Sequence, residues 1–264
     1  MASEEMASTI SRRIGSRGSA APIGGLIGLL LCAVALYFDP SLGTMSFTWL
    51  VLGPAMLTGM AAFEVGFSLR HTMFQQNKES ARLARPRATT VSYYVSPWRR
   101  RLAPMFGLAA IVLCACGMVL GHVGVIDEGT FIQGPALVML AVALIVFLFG
   151  LAAERRILYH PQPASETLEL AWDDAFRAES LRALRMFVTF VAWLAVAAAG
   201  VGMLQGLDAV AGTSWSRGAG AQLFAWGCLA TICSFSFGRA QSYFRHHLWP
   251  EFGAADAGAA VSRS

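Results

Sequence analysis

The feature that most constrains the fold is an uncharged run of residues from Phe131 to Ala153, followed at once by Glu154-Arg155-Arg156. A helix rises about 1.5 Å per residue and a bilayer's hydrocarbon core is about 30 Å thick, so the run is long enough to cross a membrane. Comparable apolar runs flank it on both sides. Only 14% of the 264 residues are charged and 56% are hydrophobic, a composition that one soluble core cannot hide. The pattern predicts an all-α, polytopic membrane helical bundle.

The apolar runs predict six transmembrane helices, arranged as three hairpins in a single integral membrane domain over residues 1–264. The tails 1–19 and 253–264 are polar or rich in Ala, Gly and Ser, and they are expected to be disordered. The predicted spans are 22–38, 47–69, 102–126, 131–153, 186–207 and 219–238.

Basic residues predict the orientation of these helices. The tails and the two long loops hold nineteen of the twenty Lys and Arg residues, and the three short turns hold only Arg217. Basic residues are retained on the cytoplasmic side, so both termini are predicted to be cytoplasmic in the cell membrane. An even number of spans satisfies this placement.

A weak internal repeat accompanies the hairpins. Gly53-Pro54 recurs as Gly134-Pro135 at a shift of 81 residues, and Arg101 and Gly121 match Arg182 and Gly202 at the same shift. Repeats related in this way would be parallel, because every hairpin starts on the same side. Chance matching in segments rich in Ala, Gly and Leu is the alternative. The two Gly-Pro pairs have two interpretations as well: an interrupted helix at a transport site, or a proline tolerated near a helix start.

Glycines spaced four apart occur in the odd-numbered spans. This spacing lets another helix backbone approach closely. It leaves two alternatives open, packing within the chain or the face of a homo-oligomer. The pairs are Gly24/Gly28, Gly117/Gly121 and Gly202/Gly206.

The second long loop is predicted to contain a short interfacial helix over residues 165–184. Ser165 is a suitable N-cap, and Glu166 and Glu169 lie in the first turns, where the helix dipole favours acids. Trp172 would then lie at headgroup level.

Glu64 is the one acid inside a predicted span, and it is the candidate functional intramembrane residue. The alternative is an interfacial carboxylate that pairs with an arginine, since Arg70 lies about 9 Å further along the helix axis. The histidines His71, His122, His246 and His247 do not form a spacing that favours a metal or haem site. No metal and no cofactor is predicted.

The two cytoplasmic loops differ in charge. The first, 70–101, has eight bases and one acid, and the second, 154–185, has six acids and five bases. Arg99, Arg100, Arg101, Asp173 and Asp174 are therefore the candidate cytoplasmic contact residues. The acidic segment is expected to fold over the basic loop or over a basic partner, with independently solvated loops as the alternative. The basic loops are expected to attract anionic lipid.

No sequence signature of catalysis is present: no Walker A motif, HExxH, GxSxG or dinucleotide-binding loop. The topology resembles that of the six-span permeases of ABC exporters, and in composition the chain resembles multi-pass membrane proteins of high-GC actinobacteria. Neither resemblance transfers a functional residue. The sequence favours a non-catalytic accessory, assembly or regulatory subunit that binds a partner membrane subunit or another copy of itself, but not nucleic acid. A transporter or ABC-exporter-like permease subunit is the first alternative, and an intramembrane enzyme is the second.

The predicted topology is testable by labelling single cysteines on intact cells. Cysteines replacing Ser41, Gly129 and Ser214 are expected to react with a membrane-impermeant maleimide, because these residues lie in the short outer turns. Cysteines replacing Ser80 and Ser165 are expected to react only after lysis. Labelling of the Ser80 position from outside would overturn the orientation.

Overall fold

The computed structural model describes residues 90–159, 167–236 and 243–248, together with Ile23, Leu26, Ile27 and Leu30. These ranges contain helices and no strand. Most of the predicted spans 22–38 and 47–69, and both predicted tails, lie outside the described residues. The helices are α1 (Val91–Tyr94), α2 (Pro97–His122), α3 (Glu128–Gln133), α4 (Pro135–Tyr159), α5 (Thr167–Ala211), α6 (Ser216–Ser236) and α7 (Tyr243–Leu248).

Three helical segments in the described ranges are long and apolar enough to cross a membrane: Pro97–His122, Glu128–Tyr159 and Leu170–Ala211. The first begins five residues before the predicted span 102–126, since Pro97 suits the first turn of a helix. It ends at His122, and Gly124 follows with a φ of +80°, a conformation that glycine adopts readily. The all-helical class is therefore confirmed for the described residues, which include three helices long and apolar enough to span a membrane.

The uncharged run that begins at Phe131 is not one continuous helix. Gly134 has an extended backbone, with a ψ of 174°, and it separates α3 from α4. The residue before a proline is disfavoured in the helical region, and Pro135 itself is tolerated at a helix start. Of the two interpretations of Gly134-Pro135, the structure shows the helix start. Gly53-Pro54 lies outside the described residues.

The predicted interfacial helix over residues 165–184 does not form a separate element. The described part of that segment is the first portion of α5, which continues without interruption to Ala211. At 45 residues, α5 is about 68 Å long, more than twice the thickness of a hydrocarbon core. Its charged first part, Thr167–Arg185, is called the extension below. The extension is therefore continuous with the span and is not a separate helix.

Helix α5 is the centre of the described bundle. Within its most apolar window 72% of residues are buried, against 28% for α2 and 22% for the α3–α4 segment. Buried residues on all three helices recur at intervals of seven, the spacing of helices that cross at shallow angles. The recurring residues are Ala103, Ala110 and Gly117 on α2, Ala136, Ala143, Gly150 and Ile157 on α4, and Leu181, Val188, Ala195 and Gly202 on α5.

The turn between α2 and α4 is wedged between α2 and α5. Phe131 is fully buried, and a Cβ added to Gly117 would overlap its ring. A Cβ added to Gly202 of α5 would lie 3.4 Å from the same ring. One turn further out, a Cβ on Gly121 would lie 3.2 Å from Glu128, and one on Gly206 would lie 3.1 Å from Ile126.

These contacts assign two of the glycine pairs. Gly117/Gly121 and Gly202/Gly206 pack against the turn 123–134 of their own chain, and the Asp127 N–H donates to the Gly206 carbonyl at 3.0 Å. Of the two alternatives, packing within the chain is confirmed for these two pairs. The Gly24/Gly28 pair lies outside the described residues.

A tryptophan joins α5 to α6. The Trp193 indole N–H donates to the Leu223 carbonyl at 3.1 Å, and the ring packs edge-on against Phe106 of α2. A Cβ at Gly227 would overlap the indole, so the indole fits there only because residue 227 has no side chain. Trp193 thus links α2, α5 and α6 at one level.

The notch that holds Phe131 yields a stability prediction. Gly117→Ala is expected to destabilise the protein by about 1–3 kcal/mol, since the enclosed ring cannot move away from the added methyl group. The measurement is the thermal midpoint of the purified protein in detergent.

Gly107→Ala is the matched control on the same helix. Nothing lies within 4 Å of an added Cβ there, so the substitution is expected to be neutral or to stabilise by up to about 1 kcal/mol. Equal effects of the two substitutions would contradict the notch. Adding Phe131→Leu to Gly117→Ala is expected to restore part of the loss.

Candidate functional site at the basic end of the bundle

One end of the bundle gathers most of its described charged residues and is called the basic end. Helices α2 and α5 run away from this end, and α4 and α6 run towards it. Arg99 near the start of α2 contacts Ser234 near the end of α6. Likewise Glu154 near the end of α4 contacts Arg185 of α5. The extension of α5 and helices α1 and α7 pack together at this end.

A buried ion pair joins α4 to α5 at the basic end. The Arg185 Nη2 donates to Oε2 of Glu154 at 2.7 Å. Nε lies against Oε1 as an ion-pair contact but forms no hydrogen bond in the described part of the chain. The side chains are only 11% and 7% exposed. A charge-assisted hydrogen bond between buried side chains fixes geometry as well as charge. One turn before Glu154 on α4, Gly150 lets Val188 of α5 approach closely, so the two helices are in close contact next to the pair.

Two arginines satisfy the last carbonyls of neighbouring helices. The Arg177 Nη1 donates to the Leu158 carbonyl at 3.2 Å, and the Arg99 Nε donates to the Ser234 carbonyl at 2.6 Å. The final carbonyls of a helix have no partner within the helix and carry the negative end of its dipole. A guanidinium at each position supplies both a donor and a positive charge. Arg177 is itself held by Asp173 one turn earlier on α5, with Nε donating to Oδ2 at 2.9 Å.

A tyrosine connects the first loop to the extension. The Tyr94 hydroxyl donates to Oδ1 of Asp174 at 2.9 Å, and both residues are buried. Helix α7 lies against α1, where the Tyr243 hydroxyl donates to the Ser92 carbonyl at 3.3 Å. The first loop, the extension and the segment after α6 therefore form one packed unit.

The candidate contact residues predicted from the sequence have different environments. Arg99 is half-buried and contacts the end of α6, while Arg100 and Arg101 are exposed. Asp173 pairs with Arg177 of its own helix. Asp174 is fully buried and accepts a hydrogen bond from the Tyr94 hydroxyl. Glu64, the candidate intramembrane acid, lies outside the described residues.

The expected contact between the two loops has a specific form in the described residues. The first loop contacts the acidic segment through the hydrogen bond from the Tyr94 hydroxyl to Asp174. The acids of the second loop instead pair with arginines of that same loop: Asp173 with Arg177, Glu179 with Arg182, and Glu154 with Arg185. The bases from Arg70 to Arg87 lie outside the described residues.

Sequence reasoning missed the Glu154–Arg185 pair. It assigned Glu154 to the loop, since this residue is the first charge after the apolar run. The signal that identifies it is helical spacing: Glu154 lies four residues after Gly150 and next to Ala153, on the stripe of buried small residues. Tyr94 carries no comparable signal, because its role depends on where α1 packs.

The opposite end of the bundle carries His122, Asp127, Glu128 and Asp208. Hydrogen bonds from the Thr130 side chain and backbone hold the pKa of Asp127 below its usual value, as expected for a helix N-cap. Asp208 accepts from the backbone N–H groups of Trp215 and Ser216 at 3.0 and 2.8 Å, and so caps α6. Within ranges 90–159, 167–236 and 243–248, no three potential ligands are grouped to hold a metal ion.

Comparison with known proteins does not extend this picture. No protein-family model, curated protein or solved structure matches the chain.

The buried ion pair yields the second stability prediction. Glu154→Gln is expected to cost about 3–5 kcal/mol, because it leaves the Arg185 charge buried without a counter-ion. The double variant Glu154→Leu with Arg185→Met is expected to recover most of that loss, since it removes both charges. Thermal midpoints in detergent measure both.

Glu179→Gln is the matched control. It breaks a more exposed pair on the extension, with side chains 23% and 33% exposed, and is expected to cost no more than about 1 kcal/mol. A cost for Glu154→Gln as small as that of the control would show that the pair is not buried in the membrane-embedded protein.

Proposed function

We propose that this chain is a multi-pass integral membrane protein that acts as a non-catalytic accessory, assembly or regulatory subunit. In this proposal six transmembrane helices form three hairpins, both termini are cytoplasmic, and the basic end faces the cytoplasm. The contact surface is the extension of α5 with the helices packed on it. The observation that carries the proposal is the continuity of α5 from an apolar span into a charged, packed extension.

The interior of the described bundle supports a structural role. From Val188 to Gly202, the buried residues that α5 directs at its neighbours are apolar except for Thr189. Most of them are alanine, glycine or valine, and Gly150 of α4 faces Val188 across the α4–α5 contact. A core closed by small side chains holds helices together, whereas a transport path requires polar groups along the bundle.

The extension supports a role in protein contact. A helix that projects beyond the bilayer is normally solvated, yet Leu170, Leu181 and Leu184 are buried. Helix α1, the end of α4 and α7 cover them and hold the extension in place. Trp172 and Phe176 lie side by side at the half-buried surface of this unit, with ring centroids 6.0 Å apart. Aromatic residues on a rigid support are common anchors of protein interfaces.

Two features support the three-hairpin architecture. Helices α2 and α5, which would be equivalent in a repeat of about 81 residues, run in the same direction and carry their glycine pairs at the same end. Both glycine pairs, Gly117/Gly121 and Gly202/Gly206, pack against the turn that follows α2. Parallel repeats produce this relation between the first helices of successive hairpins.

A transporter or permease subunit remains the alternative, and one observation favours it. Glu154 and Arg185 are buried charges near an apolar span, and Thr189, one turn beyond Arg185, has a buried hydroxyl with no hydrogen-bond partner in the described part of the chain. Ionisable groups in such places often mark ion pathways. Against this, the two charges neutralise each other and share a hydrogen bond from Arg185 Nη2 to Glu154 Oε2.

The two functions are separable by experiment. An accessory subunit is expected to co-purify from native membranes with a partner membrane protein at a fixed ratio, measured by native mass spectrometry in mild detergent. Trp172→Ala with Phe176→Ala is expected to lower that occupancy several-fold, since the aromatic pair is the proposed anchor. The control Trp215→Ala changes an exposed tryptophan at the opposite end and is expected to leave it unchanged.

Transport activity would contradict the proposal. Proteoliposomes containing the wild-type chain are expected to show no flux of protons or cations above empty vesicles. Flux that disappears in Glu64→Gln, with no partner in native membranes, would establish the alternative.

A further inference from the structure

The arginines at the basic end divide into two groups. Four of them act within the fold: Arg177 and Arg99 cap helices, Arg185 pairs with Glu154, and Arg182 pairs with Glu179. The described acids of this end are correspondingly occupied, since Asp173 holds Arg177 and Asp174 accepts from Tyr94.

The second group is Arg100 and Arg101 of α2 with Arg155 and Arg156 of α4. All four are exposed, and within the described residues none of them forms an ion pair or hydrogen bond with protein. They lie in the first turns of α2 and the last turns of α4. The two helices meet at this end, because Arg100 is near enough for its charge to act on Glu154.

The position of this group along the helices indicates its partner. The arginines mark the level at which two apolar segments end, and exposed aromatic residues flank them, Trp98 at 61% and Tyr159 at 84% exposed. Tryptophan and tyrosine favour the headgroup region of a bilayer, and arginine there binds phosphate bidentately. Exposed guanidinium groups that have no ion-pair partner among the described residues, placed at headgroup depth, therefore match a negatively charged lipid phosphate.

We propose that Arg100, Arg101, Arg155 and Arg156 form a binding site for the headgroup of an anionic phospholipid between the start of α2 and the end of α4. This inference rests on the proposed function, since it places the basic end at the cytoplasmic leaflet, and it names the lipid partner there. The proposed site differs from the contact residues expected from the sequence. Arg99 is not part of it, because Arg99 contacts the end of α6, and Arg155 and Arg156 of the second loop are included.

The test measures lipid binding by the purified, full-length protein. Short-chain phosphatidylglycerol is expected to raise the thermal midpoint and to be retained in native mass spectra, whereas phosphatidylcholine of the same chain length does neither. Replacing all four arginines by glutamine is expected to weaken phosphatidylglycerol binding at least tenfold. Replacing all four by lysine keeps the charge and is expected to retain most of the binding, which keeps the test valid if the glutamine variant folds poorly.

Arg217→Gln is the matched control. It removes one cation at the start of α6, at the opposite end of the bundle, and is expected to leave binding unchanged. Equal binding of the two lipids, or wild-type affinity in a folded glutamine variant, would overturn the proposal. Inorganic phosphate that displaces the lipid at millimolar concentration would overturn it in favour of a free-anion site. Cysteine labelling at Gly129 and Ser214 reports orientation separately, so failure of the proposed topology is distinguishable from failure of this site.

Discussion

Close approach of helix backbones to α5 is the constraint on which the rest of the described structure depends. In a bilayer the hydrophobic effect does not draw one apolar helix to another, because lipid tails are as apolar as leucine. Association then depends on contact between closely fitting surfaces and on a few hydrogen bonds. The small residues repeated at intervals of seven along α2, α4 and α5 allow that contact. Gly117 and Gly202 also make room for the Phe131 ring, so the packing of the helices fixes the position of the turn 123–134.

The charged residues of the basic end follow from this arrangement. When α4 and α6 end against α5 and α2, their last carbonyls lie inside the protein and require donors. Arg177 and Arg99 supply them. An arginine placed there must in turn be neutralised or kept partly in water, and Asp173 neutralises Arg177. Arg177 and Arg99 thus join helix ends to α5 and α2, and these contacts stabilise one relative position of the helices.

Part of this structure was predictable from the sequence, and the reasons are physical. An uncharged run of this length has few alternatives to a membrane-crossing helix, so the fold class followed from Phe131 to Ala153. Helix boundaries were less accurate, because apolar composition does not reveal where Gly134-Pro135 interrupts the backbone. The loop helix was predicted, but its fusion with the span was not. Nothing in the local pattern separates a helix that lies on the membrane from one that continues through it.

The contacts of the site were less predictable than its elements. Glu154 and Arg185 are 31 residues apart, and their meeting depends on the register of α4 against α5. The stripe of small residues on α4 contained that register, since Glu154 falls on it. The assignment of Arg99 to the fold and of Arg100 to the surface was not accessible, because adjacent residues differ only by about 100° around the helix axis. That rotation is fixed by the packing of α2 against α5.

The continuity of α5 gives the proposed regulatory role a mechanical basis. Between Thr167 and Ala199 the helix contains no glycine and no proline, the residues at which sharp kinks usually form. The extension and the span up to Ala199 therefore lack the residues at which a helix usually bends. In the proposed role, a partner that rotates the extension would change the contacts of Val188 and Ala195 inside the bundle. The Glu154–Arg185 pair opposes such a rotation, because turning α5 by one residue would separate the buried charges. In the proposed role, the ion pair that holds α5 in register is the interaction that a partner would have to overcome to alter the bundle.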